Sequence, residues 1–244
     1  MKCYMRKIKS GKVVEIQMYQ SIRAPGIHTP RSSHSRKSTE KQKLLNEIHA
    51  KQWLTRLVNA NFSPGDSYIT LTYRGKEPTL AQAKKELERY LRRLRDLRKK
   101  NDLPALKYIS VTEITDCRVN HHIITQHMNE AVLMDLWQKD GKGNPIKGHG
   151  RIPIDRLDWS FDYTFLSRYV GKEKKMGKRW SQSKNLTKPK VSEAKEIARS
   201  TIRKSYRPPK GYRIAEEIFN SSDTTGEYRY IRLVPITDEL DDTG

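Results

Sequence analysis

Three short segments of this 244-residue chain carry side chains able to bind a divalent cation and to attack a phosphodiester. Glu113 lies in residues 107–114, Asn120 and His122 lie in 118–126, and Tyr169 lies in 160–172. The first two segments are rich in β-branched residues and flank Thr115-Asp116-Cys117, which predicts an antiparallel hairpin. Side chains alternate across a strand, so Asn120 and His122 share one face and His121 points to the other. The short turn sets Glu113 close to the Asn120–His122 end of its neighbour. A carboxylate, an imidazole and an amide oxygen can together hold Mg²⁺ or Mn²⁺ with open positions, and such an ion polarises a scissile phosphate. His121 replaces Asn120 in this set only if a bulge turns it to the other face. Tyrosine is a suitable nucleophile beside that ion, because its attack conserves the phosphodiester energy as phosphotyrosine. Lys172 follows Tyr169 on the same helical face, placed to steady a phosphate or a phenolate. Taken singly, each residue also has a plainer role: the histidines as packing, Glu113 as half of an ion pair, Tyr169 as core beside Phe165 and Leu166.

Positioning these groups is the work of the surrounding elements. Strands are expected at 3–8 and 12–20, then a basic loop at 21–40. A helix over 38–59 carries Leu44, Leu45, Ile48, Trp53, Leu54, Leu57 and Val58 as one buried stripe. A strand at 67–73 precedes a helix over 79–100, capped by Thr79. That helix presents Leu80, Ala83, Leu87, Tyr90, Leu91, Leu94 and Leu97 on one face. Its other face is basic: Lys84, Lys85, Arg89, Arg92, Arg93, Arg95, Arg98 and Lys99. Beyond the hairpin come a helix at 129–138, a short strand at 151–154, helices at 160–172 and 192–204, and a short strand at 179–183. Strands at 211–219 and 227–234 and a frayed acidic tail close the chain. The order predicts an α+β fold, a central antiparallel sheet with helices packed mainly on one face, with extra N- and C-terminal strands that enlarge or flank it. Three parts are expected: 1–37 with the N-terminal strands and basic loop, 38–190 as the central domain, and 191–244 as a C-terminal extension.

Charge restricts the partner. Lys and Arg number 49 against 28 Asp and Glu, a formal net charge of +21. Such an excess suits a polyanion, since neutralising phosphates releases condensed counterions. No apolar run is long enough to span a bilayer, and no secretion signal follows Met1. The two cysteines, Cys3 and Cys117, have no zinc-ligand spacing, and the simplest compartment is a reducing bacterial cytoplasm. The candidate nucleic-acid contacts are Arg92, Lys99, Lys174, Lys175, Lys178, Arg179 and Lys184, with Trp180 able to stack on an unpaired base or to anchor the core.

The ordered set Ile69-Thr70-Leu71-Thr72-Tyr73, Val111-Thr112-Glu113, Asn120-His121-His122 and Arg168-Tyr169-Val170-Gly171-Lys172 resembles the replication-associated Rep proteins of the HUH endonuclease superfamily. It looks closest to rolling-circle initiators of phages, prophages and plasmids. The segment from Arg179 to Leu186 resembles the basic stretch that follows the tyrosine helix in that group, and the likeness covers roughly residues 40–190. The resemblance implies a metal-dependent nicking and joining enzyme acting on single-stranded or hairpin origin DNA through a 5′-phosphotyrosine. Glu113 then matches the acidic metal ligand, His122 the second histidine of the His-hydrophobe-His pair, Tyr169 the nucleophile and Lys172 the lysine after it. Two departures stand out. Asn120 occupies the place of the first histidine, which weakens affinity for a borderline ion or shifts preference toward Mg²⁺. Phe165 stands where a second tyrosine would be, so a single-tyrosine enzyme is expected, whose termination step needs a second protomer, as in a dimer on DNA, or another strand transfer. With no GxxxxGK[ST] loop in the sequence, unwinding and synthesis fall to a host helicase and polymerase. The alternatives are a relaxase or transposase of the same superfamily and a basic DNA-binding regulator without chemistry.

Overall fold

The strands sort into two antiparallel sheets in the computed structural model, which describes residues 1–22, 25–26, 39–115, 118–165, 180–223 and 226–237. The chain divides into two units, one of Ala50–Asp158 with Tyr163–Thr187 and the other of Met1–His49, Trp159–Asp162 and Lys188–Gly244.

The central unit is built on a five-stranded sheet. Its strands are β3 (Ser67–Leu71), β4 (Tyr108–Thr115), β5 (Arg118–Thr125), β6 (Ile154–Arg156) and β7 (Ser181–Gln182), in the order β6-β3-β5-β4-β7. Helices α2 (Leu80–Lys100) and α3 (Glu130–Gln138) bury their apolar stripes against one face, where Leu87, Tyr90, Leu91, Leu94, Leu133 and Trp137 meet Ile69, Leu71 and Ile123. Each such side chain stabilises the fold by roughly 1.5–3 kcal/mol through burial. Helix α2 starts where its sequence says: Thr79 accepts from Gln82 N, and Gln82 reaches back to the Thr79 N–H, a capping box that satisfies two otherwise unpaired donors. Asn129 caps α3 through Val132 N. The opposite sheet face carries Tyr68, Ile109, Val111 and Ile124, packed on Leu54, Leu57 and Val58 from helix α1 (Glu40–Asn61) and on Tyr163. Gly150 runs so close to the end of β3 that a Cβ would sit 2.5 Å from Thr72 Oγ1, so only glycine fits there.

The terminal strands do not enlarge this sheet. β1 (Lys2–Ser10), β2 (Val13–Ser21), β8 (Lys190–Val191), β9 (Lys195–Ile197), β10 (Tyr212–Ser222) and β11 (Gly226–Pro235) form a six-stranded sheet of their own, ordered β10-β11-β2-β1-β8, with β9 also on β1. Both ends of the chain therefore share one hydrophobic cluster of Cys3, Ile16, Met18, Ile231 and Leu233, closed by Ile202 of the short helix α4 (Arg199–Arg203).

Three sequence expectations are corrected. The stripe of α1 is buried only from Leu54 onward; Leu44, Leu45, Ile48 and Trp53 are exposed. The helix expected over 192–204 is instead β9 followed by α4, because Lys195–Ile197 pairs with the edge of β1. The helix expected from residue 160 does not begin there: Phe161 takes a φ of 56°, which a right-handed helix excludes, and only Thr164 and Phe165 form a helical turn. Residues 166–179 lie outside the described residues, and with them Tyr169, Lys172, Lys174, Lys175, Lys178 and Arg179; the acidic tail from residue 238 also lies outside them.

Candidate functional site

Strands β4 and β5 pair without a register break, so each residue's face follows from alternation alone. Glu113 is the direct partner of Asn120, and Val111 of His122, which puts Glu113, Asn120 and His122 on the face that holds Tyr68 and Ile124. β3 adds to this face from the other side, where Thr70 is the partner of His122.

The geometry centres on the His122 ring. Its Nε2 lies 3.0 Å from Glu113 Oε2, and both side chains are buried. Its Nδ1 lies 2.8 Å from the Tyr68 hydroxyl and 3.4 Å from Thr70 Oγ1. The tyrosine thus fixes the ring so that Nε2 and the carboxylate face each other. A second partner on the far nitrogen is the usual device for orienting a ligating imidazole. Imidazole nitrogen, carboxylate oxygen and amide oxygen form a donor set that suits Mg²⁺ or Mn²⁺, and the two nearest donors converge. No group of three His, Cys, Asp or Glu gathers among the described residues, so an ion here relies on the amide of Asn120.

His121 takes no part in this set. With no bulge in β5 it points to the other face, completely buried, its Nε2 3.0 Å from the Tyr73 hydroxyl and its Nδ1 2.9 Å from Thr112 Oγ1. Burial lowers its pKa from 6.5 to about 4, so the ring is neutral at physiological pH. It is a structural histidine, and its assignment as an alternative ligand is withdrawn.

Tyr163, the nearest described tyrosine in sequence to Tyr169, is also structural. It is fully buried, its N–H donates to Asn59 Oδ1 and its hydroxyl donates to the Asp158 carbonyl. Burial raises its pKa, which leaves it a poor nucleophile. Phe165 packs its edge against the Tyr68 ring at 6.1 Å.

The basic face of α2 is narrower than the sequence suggests. Arg92 and Lys99 are exposed, but Arg93 donates to the carbonyls of Leu136, Lys139 and Asp140, and Arg98 is buried, donating to Pro104 O. Lys184 is exposed, while half-buried Trp180 packs against the Tyr68 cluster and donates to Gln182 Oε1 at 2.7 Å. Trp180 therefore anchors the core.

Sequence reasoning overlooks Tyr68 and Thr70 as supports of His122. Their signal is the alternation of β3, which sends both toward the face used by His122 once the register with β5 is known.

Residues 66–174 match the family described as replication-associated protein, of the ORF2 type. The match supports a Rep-type replication protein. It spans β3 to β6 and so contains Tyr68, Glu113, Asn120 and His122, and it extends through Tyr169 and Lys172. No curated protein and no solved structure matches the chain. No helix among the described residues is long and apolar enough to cross a membrane.

Proposed function

We propose that this chain nicks and rejoins one DNA strand to start rolling-circle replication. The observation that carries the reading is the single sheet face shared by Glu113, Asn120 and His122 inside the segment that matches replication-associated proteins. In this reading the phenolate oxygen of Tyr169 attacks the scissile phosphorus. The bond to the 3′ oxygen breaks, that oxygen takes up a proton, and the 5′ phosphate stays on the tyrosine while the free 3′-OH primes synthesis. Lys172 steadies the phosphate. Glu113, His122 and Asn120 hold Mg²⁺ or Mn²⁺, which stabilises charge on the phosphate. The burial of Tyr163 supports a single nucleophile. The substrate is single-stranded or hairpin origin DNA in a bacterial cytoplasm, with a host helicase and polymerase completing the round and a second protomer as one route to termination.

The rival is a DNA-binding regulator without chemistry, favoured by the direct His122–Glu113 hydrogen bond, which satisfies both groups without an ion. Incubation with origin single-stranded DNA and Mn²⁺ decides between them. A covalent adduct is expected from the wild type and none from Tyr169→Phe; equal absence from both establishes the regulator.

A further inference from the structure

The terminal unit contains a cleft of about 470 Å³ that the nicking site does not use. That volume lies in the range of roughly 300–1,000 Å³ occupied by ligand clefts. A single row of register partners runs through it: Lys190 of β8 pairs with Lys9 of β1, Lys9 with Val14 of β2, and Val14 with Leu233 of β11. The row changes from cationic to apolar as it crosses the sheet. Lys7 adds a third ammonium on the basic side, and Tyr206 and Tyr212, both half-buried, stand on the apolar side. Among the described residues, no acidic side chain lines the cleft. Val191 on its rim is 53% exposed, so apolar surface is open to an incoming group.

We propose that this cleft binds an unpaired base of single-stranded DNA together with its flanking phosphates. A flat ring lies on the apolar floor against a tyrosine, and the phosphates meet the lysines. Aromatic stacking is tolerant of sequence because every base has a π-face. Three lysines beside an apolar floor suit a strand whose bases are unstacked; a duplex offers phosphates but no free ring. The inference deepens the proposed function and rests on its DNA substrate, while using neither Tyr169 nor the ion.

The test is fluorescence anisotropy of the full chain with labelled oligothymidine in EDTA, where no cleavage occurs. The combined variant Lys7→Glu, Lys9→Glu, Lys190→Glu is expected to bind at least about tenfold more weakly, with the salt slope reduced by about 2, since each phosphate contact on a single strand contributes about 0.7. Tyr206→Ala is expected to lose about 5- to 100-fold with the slope unchanged, and Tyr206→Phe to bind as the wild type, because stacking survives. Photocrosslinking to bromouracil oligonucleotide guards against misfolded variants, with adducts expected on Tyr206 or Tyr212 of the wild type. Unchanged binding by the lysine variant, adducts confined to other peptides, or equal losses for blunt duplex would overturn the assignment. Tyr169→Phe should bind oligothymidine normally, so a failure of the nicking reading leaves this measurement intact and interpretable.

Discussion

His121 and His122 are adjacent in sequence and opposite in circumstance. His122 faces a carboxylate and a tyrosine hydroxyl; His121 is sealed between Tyr73 and Thr112. The difference is measurable at both residues. Replacing Tyr68 with Phe removes the hydroxyl that orients the His122 ring while leaving most of the packing. Such support of a ligating histidine is typically worth about 10–100-fold in metal affinity. Tyr68→Phe is therefore expected to weaken Mn²⁺ binding by that factor, read by calorimetry, and an unchanged affinity would remove His122 from the ion's ligands. For His121 the observable is stability. Its folded pKa is about 4 against an ordinary 6.5, so below pH 6.5 the unfolded chain binds a proton that the folded chain refuses. Stability contributed by the neutral ring is present in full above pH 6.5 and is lost as pH falls toward 4. Between pH 7 and pH 5 the loss is about 2 kcal/mol, seen as a fall in the urea midpoint. A His121→Gln variant should show a shallower pH dependence over the same interval.

Elements differ in how far their own residues specify them. Helix α2 is legible because cap, apolar period and length agree, and the β4–β5 hairpin because two alternating runs flank a short turn. The candidate site is legible to the same extent: alternation alone places Asn120 with His122, and pairing places Glu113 beside them. Less legible is α1, whose apolar spacing continues through residues that the fold leaves in solvent. Periodicity records a face, but burial needs something to cover it. Leu54→Ala is expected to destabilise by roughly 2–5 kcal/mol, whereas Leu44→Ala, at a position 58% exposed, should change stability by less than about 0.5 kcal/mol. Denaturant titration of the two variants makes the comparison; similar effects would mean that the stripe is buried along its whole length. The segment 192–204 misleads for a related reason. Ala194, Ile197, Ala198 and Ile202 have helical spacing, yet three residues pair with a strand from the start of the chain, and local spacing carries no record of that partner.

At the scale of the whole molecule, the sheet of the terminal unit draws strands from both ends of the sequence, with β2 between β1 and β11. Pairing across such a separation leaves no periodic trace, and for that reason the terminal strands read as additions to the central sheet. A chain lacking residues 1–37 would lose β1 and β2, strand the edge of β11 and expose Ile231 and Leu233. It is expected to aggregate or to elute as large species in size-exclusion chromatography, since a long unpaired edge recruits other chains. A well-behaved monomer would show that β10 and β11 stand without their partners. The same topology has a consequence for synthesis on the ribosome. The five strands of the central sheet have all been made by Gln182, so that sheet can close while translation continues. β1 and β2, made first, must wait for β11 before their sheet has its middle, and the long closure slows that step. The earliest part of the nascent chain is thus among the last to fold, and during that delay its apolar strands depend on chaperones for protection.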